Sequence, residues 1–259
     1  MKWSVELFTC LLFAVCFMSQ PCTASADDIT VSAAMSLKGP FEELGREFEK
    51  TGKGTKVILN FGASGALRGQ IEGGAPVDVF ASADEKNMDI LDREGLLLRD
   101  TRSVFAGNSV VLITPVFSSL QIRSFSDLRK NYMKRIAIGN PLTTPVGRYS
   151  KEALKHLRIW DHIKDRVVFA ENVRQILDYV SRGEVDAGML YCTDAMIKSR
   201  EVKVVAEAPE ESHEKIIYPI AVMKNAGNEI TARAFVKFVI SEQGIEILKK
   251  YGFRTAKQR

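Results

Sequence analysis

From residue 29 onwards, short apolar runs alternate with stretches whose apolar positions fall at helical spacing. The run ITVSAAMSL leads into Phe41, Leu44 and Phe48, with Glu42, Glu43, Arg46 and Glu47 on the opposite face, which predicts a strand followed by an amphipathic helix that begins at Ser36. Residues 57–61 predict a second strand, 62–65 a tight turn of small residues, and 66–72 a short helix closed by Gly73 and Gly74, with Ser64 as its cap. Residues 77–81 predict a third strand. Ser82 with Glu85 then reads as a capping box for a helix through Met88 and Leu91 to Gly95.

The alternation restarts at residues 108–114, NSVVLIT, closed by Pro115. Ser124 with Asp127 opens a helix, 135–138 is a strand, and the turn 139–147 leads into a helix through Tyr149, Ala153, Leu154 and Leu157. Residues 167–170 form the next strand, and Val173, Ile176, Leu177 and Val180 mark a helical face that Asn172 caps. A strand at 186–191, a short helix from Asp194 and a strand at 202–206 complete this block. Residues 216–223, IIYPIAVM, are a strand interrupted by Pro219, which predicts an end or edge position. Helical sequence from 229 to 251 follows, broken near Ser241.

Strands alternating with helices imply α/β architecture, with mainly parallel sheets flanked by helices. The two blocks are expected to be two lobes, 27–107 plus 217–259 and 108–216, joined by crossings near Gly107 and Tyr218 that form a two-stranded hinge beside a cleft. Ser36 and Ser64, coming off successive strands, bring hydroxyls and unpaired backbone N–H groups to the carboxyl ends of a sheet, which is an anion site in outline. From the second lobe the turn Thr144–Gly147 with Val146, the helix start at Asn172–Val173, and Tyr191 at a strand end are the candidate donors. Taken alone, each has a plain structural reading: serine caps, apolar helix residues and a half-buried tyrosine.

Composition adds an address more than an activity. The chain has 259 residues and a formal charge of +4, spread without a basic run, which gives no support to nucleic-acid binding. Lys2, the apolar core 7–18 and the Ala24-Ser25-Ala26 cleavage pattern predict a signal peptide over residues 1–26. Cys10, Cys16 and Cys22 lie within it, leaving Cys192 and no internal disulfide in the mature chain. His156, His162 and His213 have no metal-ligand spacing, so no metal centre is expected.

Taken together and in order, AAMSL at 33–37, FGAS at 61–64, GGAPVDVFASAD at 73–84, GNS at 107–109 and YGF at 251–253 closely resemble the periplasmic molybdate-binding proteins of ABC transporters, over essentially 28–253. The resemblance implies a two-lobe periplasmic binding protein fold and a monomer that captures molybdate, with tungstate, and delivers it to an inner-membrane ABC permease. It further implies a periplasmic location, no cofactor, no bare metal ion and no enzymatic activity. Matched motif to motif, it places the ligand-binding serines at Ser36 and Ser64, backbone donors at Val146 and Val173, and the tyrosine at Tyr191. Departures occur at Met35, Val146, Gly65 and Cys192, and they bear on cleft size.

Other readings remain at this level. A receptor for another tetrahedral oxyanion, such as sulfate, uses the same donors. Arg68, Arg148 and Arg174 each lie near a proposed donor and offer bidentate anion contacts. A secreted serine hydrolase requires a base close to Ser36 or Ser64, and no GxSxG elbow is present.

Overall fold

The computed structural model describes residues 28–51 and 55–255. The expected signal peptide and its three cysteines lie outside the described residues. In chain order the elements are β1 (Ile29–Ala34), α1 (Lys38–Glu49), β2 (Val57–Gly62), α2 (Ser64–Glu72), β3 (Val79–Ala81), α3 (Glu85–Arg93), β4 (Ser103–Gly107), β5 (Val110–Pro115), β6 (Ile136–Gly139), α4 (Pro145–His156), α5 (Trp160–Ile163), β7 (Val167–Ala170), α6 (Val173–Ser181), β8 (Ala187–Tyr191), α7 (Cys192–Ile197), β9 (Val202–Glu207), β10 (Ile217–Val222), α8 (Glu229–Val239) and α9 (Glu242–Lys250).

These strands form two sheets with the same plan, ordered β2-β1-β3-β10-β4 and β7-β6-β8-β5-β9. In each, the first three strands pair in parallel and the fourth runs antiparallel to both neighbours. That fourth strand is β10 in one sheet and β5 in the other, the strand reached directly after the chain has crossed between lobes. The crossings lie side by side: Gly107 pairs with Ile217, and Asn108 N donates to Ile216 O at 3.4 Å. Arg254 adds a third segment by pairing with Gly107, so the tail reinforces the hinge.

Local sequence accounts for most boundaries. In the first lobe Phe41, Phe48, Phe105 and Phe235 pack in tilted and edge-on contacts with ring centroids 5.3–6.2 Å apart, fastening α1 and α8 to the sheet. Ser241 accepts from Gly244 N and separates α8 from α9, as the break in the pattern predicts. Ser124 and Asp127 form their capping box, over a 3-10 turn at Phe125–Arg129 rather than an α-helix.

Three local expectations are corrected. The cap of α3 is Asp84, whose side chain accepts from Asn87 N, while Ser82 donates to Asp84 instead of capping. Ser64 is the first residue of α2 and not its cap, since its hydroxyl accepts from Ala83 N across the sheet end. Pro219 lies in an interior strand. The β10–β4 register shifts between Tyr218 and Pro219, and this bulge absorbs the missing N–H.

Candidate functional site

The shared plan of the sheets sets equivalent strand ends facing each other across the cleft. Ser36 follows β1 and Val146 follows β6, which occupy the same place in their sheets; Ser64 follows β2 and Val173 follows β7, again equivalent strands. Tyr191 ends β8. All five candidate residues line one small cavity of about 20 Å³, together with Ala83 and Asn172. That is somewhat more than the ~10–15 Å³ a single water needs. The residues are almost wholly buried, with Ser36 and Val173 at 4% exposure and the other three at 1%.

The two serine hydroxyls are set to accept a bond from the scaffold, which leaves their own hydrogens for the cavity, whereas the Tyr191 hydroxyl donates to a backbone carbonyl. Ser64 Oγ accepts from Ala83 N at 3.0 Å. The Asn108 amide is oriented by Ser109 N, which donates to its Oδ1; its Nδ2 then donates to Thr193 Oγ1 at 2.9 Å and to the Tyr218 hydroxyl at 3.2 Å. Tyr218 lies 3.2 Å from Ser36 Oγ, either hydroxyl being able to donate, and with the Asn108 amide already donating to it the Tyr218 hydrogen is free to go to Ser36. The Tyr191 hydroxyl reaches Ala83 O only at 3.5 Å, a contact long enough to yield to a better acceptor. Burial raises the Tyr191 and Tyr218 hydroxyls well above the ordinary phenol range, so both keep their protons.

Backbone donors come from the second lobe because its caps serve later positions. Asn172 accepts from Arg174 N and Gln175 N, and Thr144 accepts from Gly147 N. The N–H groups of Val173 and Val146, at the first and second positions of their helices, are what these caps leave over. Gly139 and Gly147 make the second turn feasible: a Cβ on Gly139 would lie 2.2 Å from Thr144 Oγ1, and one on Gly147 2.1 Å from Gly139 O.

No ionised side chain lines this cavity. Arg68 pairs with Glu72, Arg174 faces Asp194 at 3.6 Å, and Arg148 is held by Asp84, Glu152 and Glu214. None of the three histidines reaches it either; His213 stacks beside Tyr149 and bonds Glu214 O. Ser36 and Ser64 therefore have no imidazole to activate them. A larger groove of about 860 Å³, bordered by Lys38, Arg174, Lys198 and Tyr251, adjoins the cavity at Met35, Ser36 and Asn172.

The lobes touch directly around the cavity. Gly65 N donates to Thr143 O at 3.0 Å, and a Cβ on Gly65 would sit 2.6 Å from that oxygen. The sequence pointed to the five lining residues but not to Ala83, Asn108 or Tyr218, which hold them. Tyr218 left one signal, a polar tip in an otherwise apolar strand.

The family model described as bacterial extracellular solute-binding protein matches residues 29–254. The chain is 40% identical to the molybdate-binding protein ModA of Escherichia coli over 237 residues, 89% of this chain and 91% of the relative. It is 34% identical to the molybdate-binding protein ModA of Haemophilus influenzae over 259 residues, 98% and 99% of the two chains. Among solved structures, the periplasmic molybdate-binding protein of Azotobacter vinelandii superimposes with a TM-score of 0.78 at 27% identity, covering 88% of this chain and 100% of that one.

Proposed function

This chain belongs to the family of bacterial extracellular solute-binding proteins, and from that membership and the geometry of the cleft we propose that it captures molybdate, and tungstate with it, between its two lobes. The observation that carries the proposal is the convergence of Ser36, Ser64, Tyr191 and the helix starts at Val146 and Val173 on one cavity lined by no charged side chain. Helix-start N–H groups and hydroxyls are matched to an oxyanion that carries no proton of its own. A protonated phosphate sets its O–H against donors, and the mismatch selects against it.

On this reading the protein is a binding protein and not an enzyme, and molybdenum is cargo held as its oxyanion. Residues 27–107 with 217–259 act as one lobe and 108–216 as the other, closing at the hinge. The same reading makes the protein a periplasmic monomer, released by cleavage of residues 1–26, that hands the anion to an inner-membrane ABC permease.

Isothermal titration of the mature chain with molybdate, tungstate, sulfate and phosphate tests the proposal. Molybdate and tungstate are expected to bind far more tightly than the other two. Tighter binding of sulfate overturns the choice of ligand, and no binding of any of the four overturns the site.

A further inference from the structure

Beside the cavity, one ion pair spans the lobes with an unusual division of labour. Asp84 directly follows Ala83, the residue whose N–H meets Ser64 and whose carbonyl meets Tyr191. Arg148 lies two residues after Val146. Arg148 Nη2 is 3.3 Å from Asp84 Oδ2, with the Asp84 side chain 2% exposed and that of Arg148 15%.

On each partner, the atoms used across the cleft differ from those used at home. Asp84 Oδ1 takes all the bonds from its own lobe: Ser82 Oγ at 3.0 Å, Asn87 N at 3.2 Å and Asn87 Nδ2 at 2.8 Å. Its Oδ2 faces Arg148. Arg148 Nη1 binds Glu152 at 2.9 Å and Glu214 at 2.6 Å within the second lobe, and its guanidinium lies 4.4 Å above the Tyr149 ring. Its Nη2 is what crosses.

We propose that Asp84 and Arg148 form a latch, made only when the lobes shut, that holds the closed form and so sets how slowly the bound oxyanion escapes. The inference rests on the interlobe binding reading above. Opening removes one contact from each partner and returns that one oxygen and that one nitrogen to water, while every bond within a lobe persists. Neither charge is stranded in the interior, which is the condition that makes breaking a buried pair so costly elsewhere. Arg148 also bonds Glu214, and Glu214 N donates to Glu152, so the latch is anchored to the segment leading into the second crossing.

A double-mutant cycle with Asp84→Asn and Arg148→Met tests this. Asparagine keeps an acceptor for Asn87, and methionine keeps an apolar stem over Tyr149. Stopped-flow with molybdate is expected to show dissociation ~10–150-fold faster in each single variant, the worth of one hydrogen bond to a charged group acting on the off-rate, with association changed by less than about 2-fold. The double variant should dissociate no faster than the faster single one. The melting temperature without ligand should show no coupling between the two changes. Independent, multiplying effects on dissociation overturn the latch, as does equal coupling in the ligand-free melting temperature. If the wild-type chain binds no oxyanion, the binding-site reading fails and the latch, which retains that ligand, falls with it; if it binds but the two changes act independently on dissociation, the latch alone fails.

Discussion

Asn108 donates to the Tyr218 hydroxyl at 3.2 Å, and these two residues sit on the two separate crossings of the chain between lobes. The hinge is thereby wired to the cavity, because Tyr218 lies 3.2 Å from Ser36 Oγ. Tyr218→Phe removes the hydroxyl that meets Ser36 while leaving Asn108 its bond to Thr193. Oxyanion affinity is expected to fall ~3–10-fold, the worth of one neutral hydrogen bond. Titration calorimetry checks it, and an unchanged affinity means that Ser36 orients itself.

Ser64 has two bonds at stake. On the proposed reading Ser64→Ala deletes a donor to the anion, and in any case it strands the buried Ala83 N–H. Binding should weaken by ~1.5–3 kcal/mol, the range for a bond to a charged group, and the ligand-free fold should lose ~1–3 kcal/mol for the orphaned amide. Calorimetry and urea titration read the two losses separately.

Gly65 offers a separation of stability from function. Gly65→Ala places a methyl where 2.6 Å separates it from Thr143 O of the facing lobe. In the open form the same methyl improves α2 by ~0.5–1 kcal/mol. A higher ligand-free melting temperature with at least ~10-fold weaker binding is the expected pair of results. Retained affinity shows that the lobes need not approach this closely.

Asp194 predicts a pH effect. Burial pushes its carboxyl up to about 7, with Arg174 acting in the opposite direction. Between about pH 4 and 7 the folded chain holds this proton while the unfolded chain has released it, so stability declines as pH rises through that window and levels off above it. At about 1.4 kcal/mol for each tenfold change in proton affinity, the full effect is at most ~4 kcal/mol. Asp194→Asn should flatten the decline in melting temperature measured from pH 4 to 8; an identical slope in both proteins rules out this carboxyl as its source.

What sequence discloses here depends on how local each feature is. Val146 and Val173 stand at helix starts marked by Thr144-Pro145 and Asn172, signals contained in a few neighbouring residues, and the structure sets both at the cavity. Ser64 is harder to read: serine at a helix start suggests a cap, yet its hydroxyl is taken by Ala83, 19 positions away. Ser82 and Glu85 match a capping box, but Asp84 directly precedes the helix, is as good a cap as serine, and takes the place. Asn108 and Tyr218, 110 residues apart, meet only because the chain crosses twice, and no local pattern announces that. Pro219 reads as an edge residue because a proline in an interior strand is tolerated only at a bulge, and the bulge is a property of the β10–β4 register.

The placement of β5 and β10 also sets an order of assembly. Every strand of the second sheet lies within residues 110–207, whereas the first sheet gains β10, between β3 and β4, only from residues 217–222. A chain emerging from its amino terminus can finish the later half while the earlier half still has a gap in its middle, and the longer loop closure makes that last insertion the slower event. The amino-terminal half is thus expected to be the last to become native, and until then the clamp has only one working jaw.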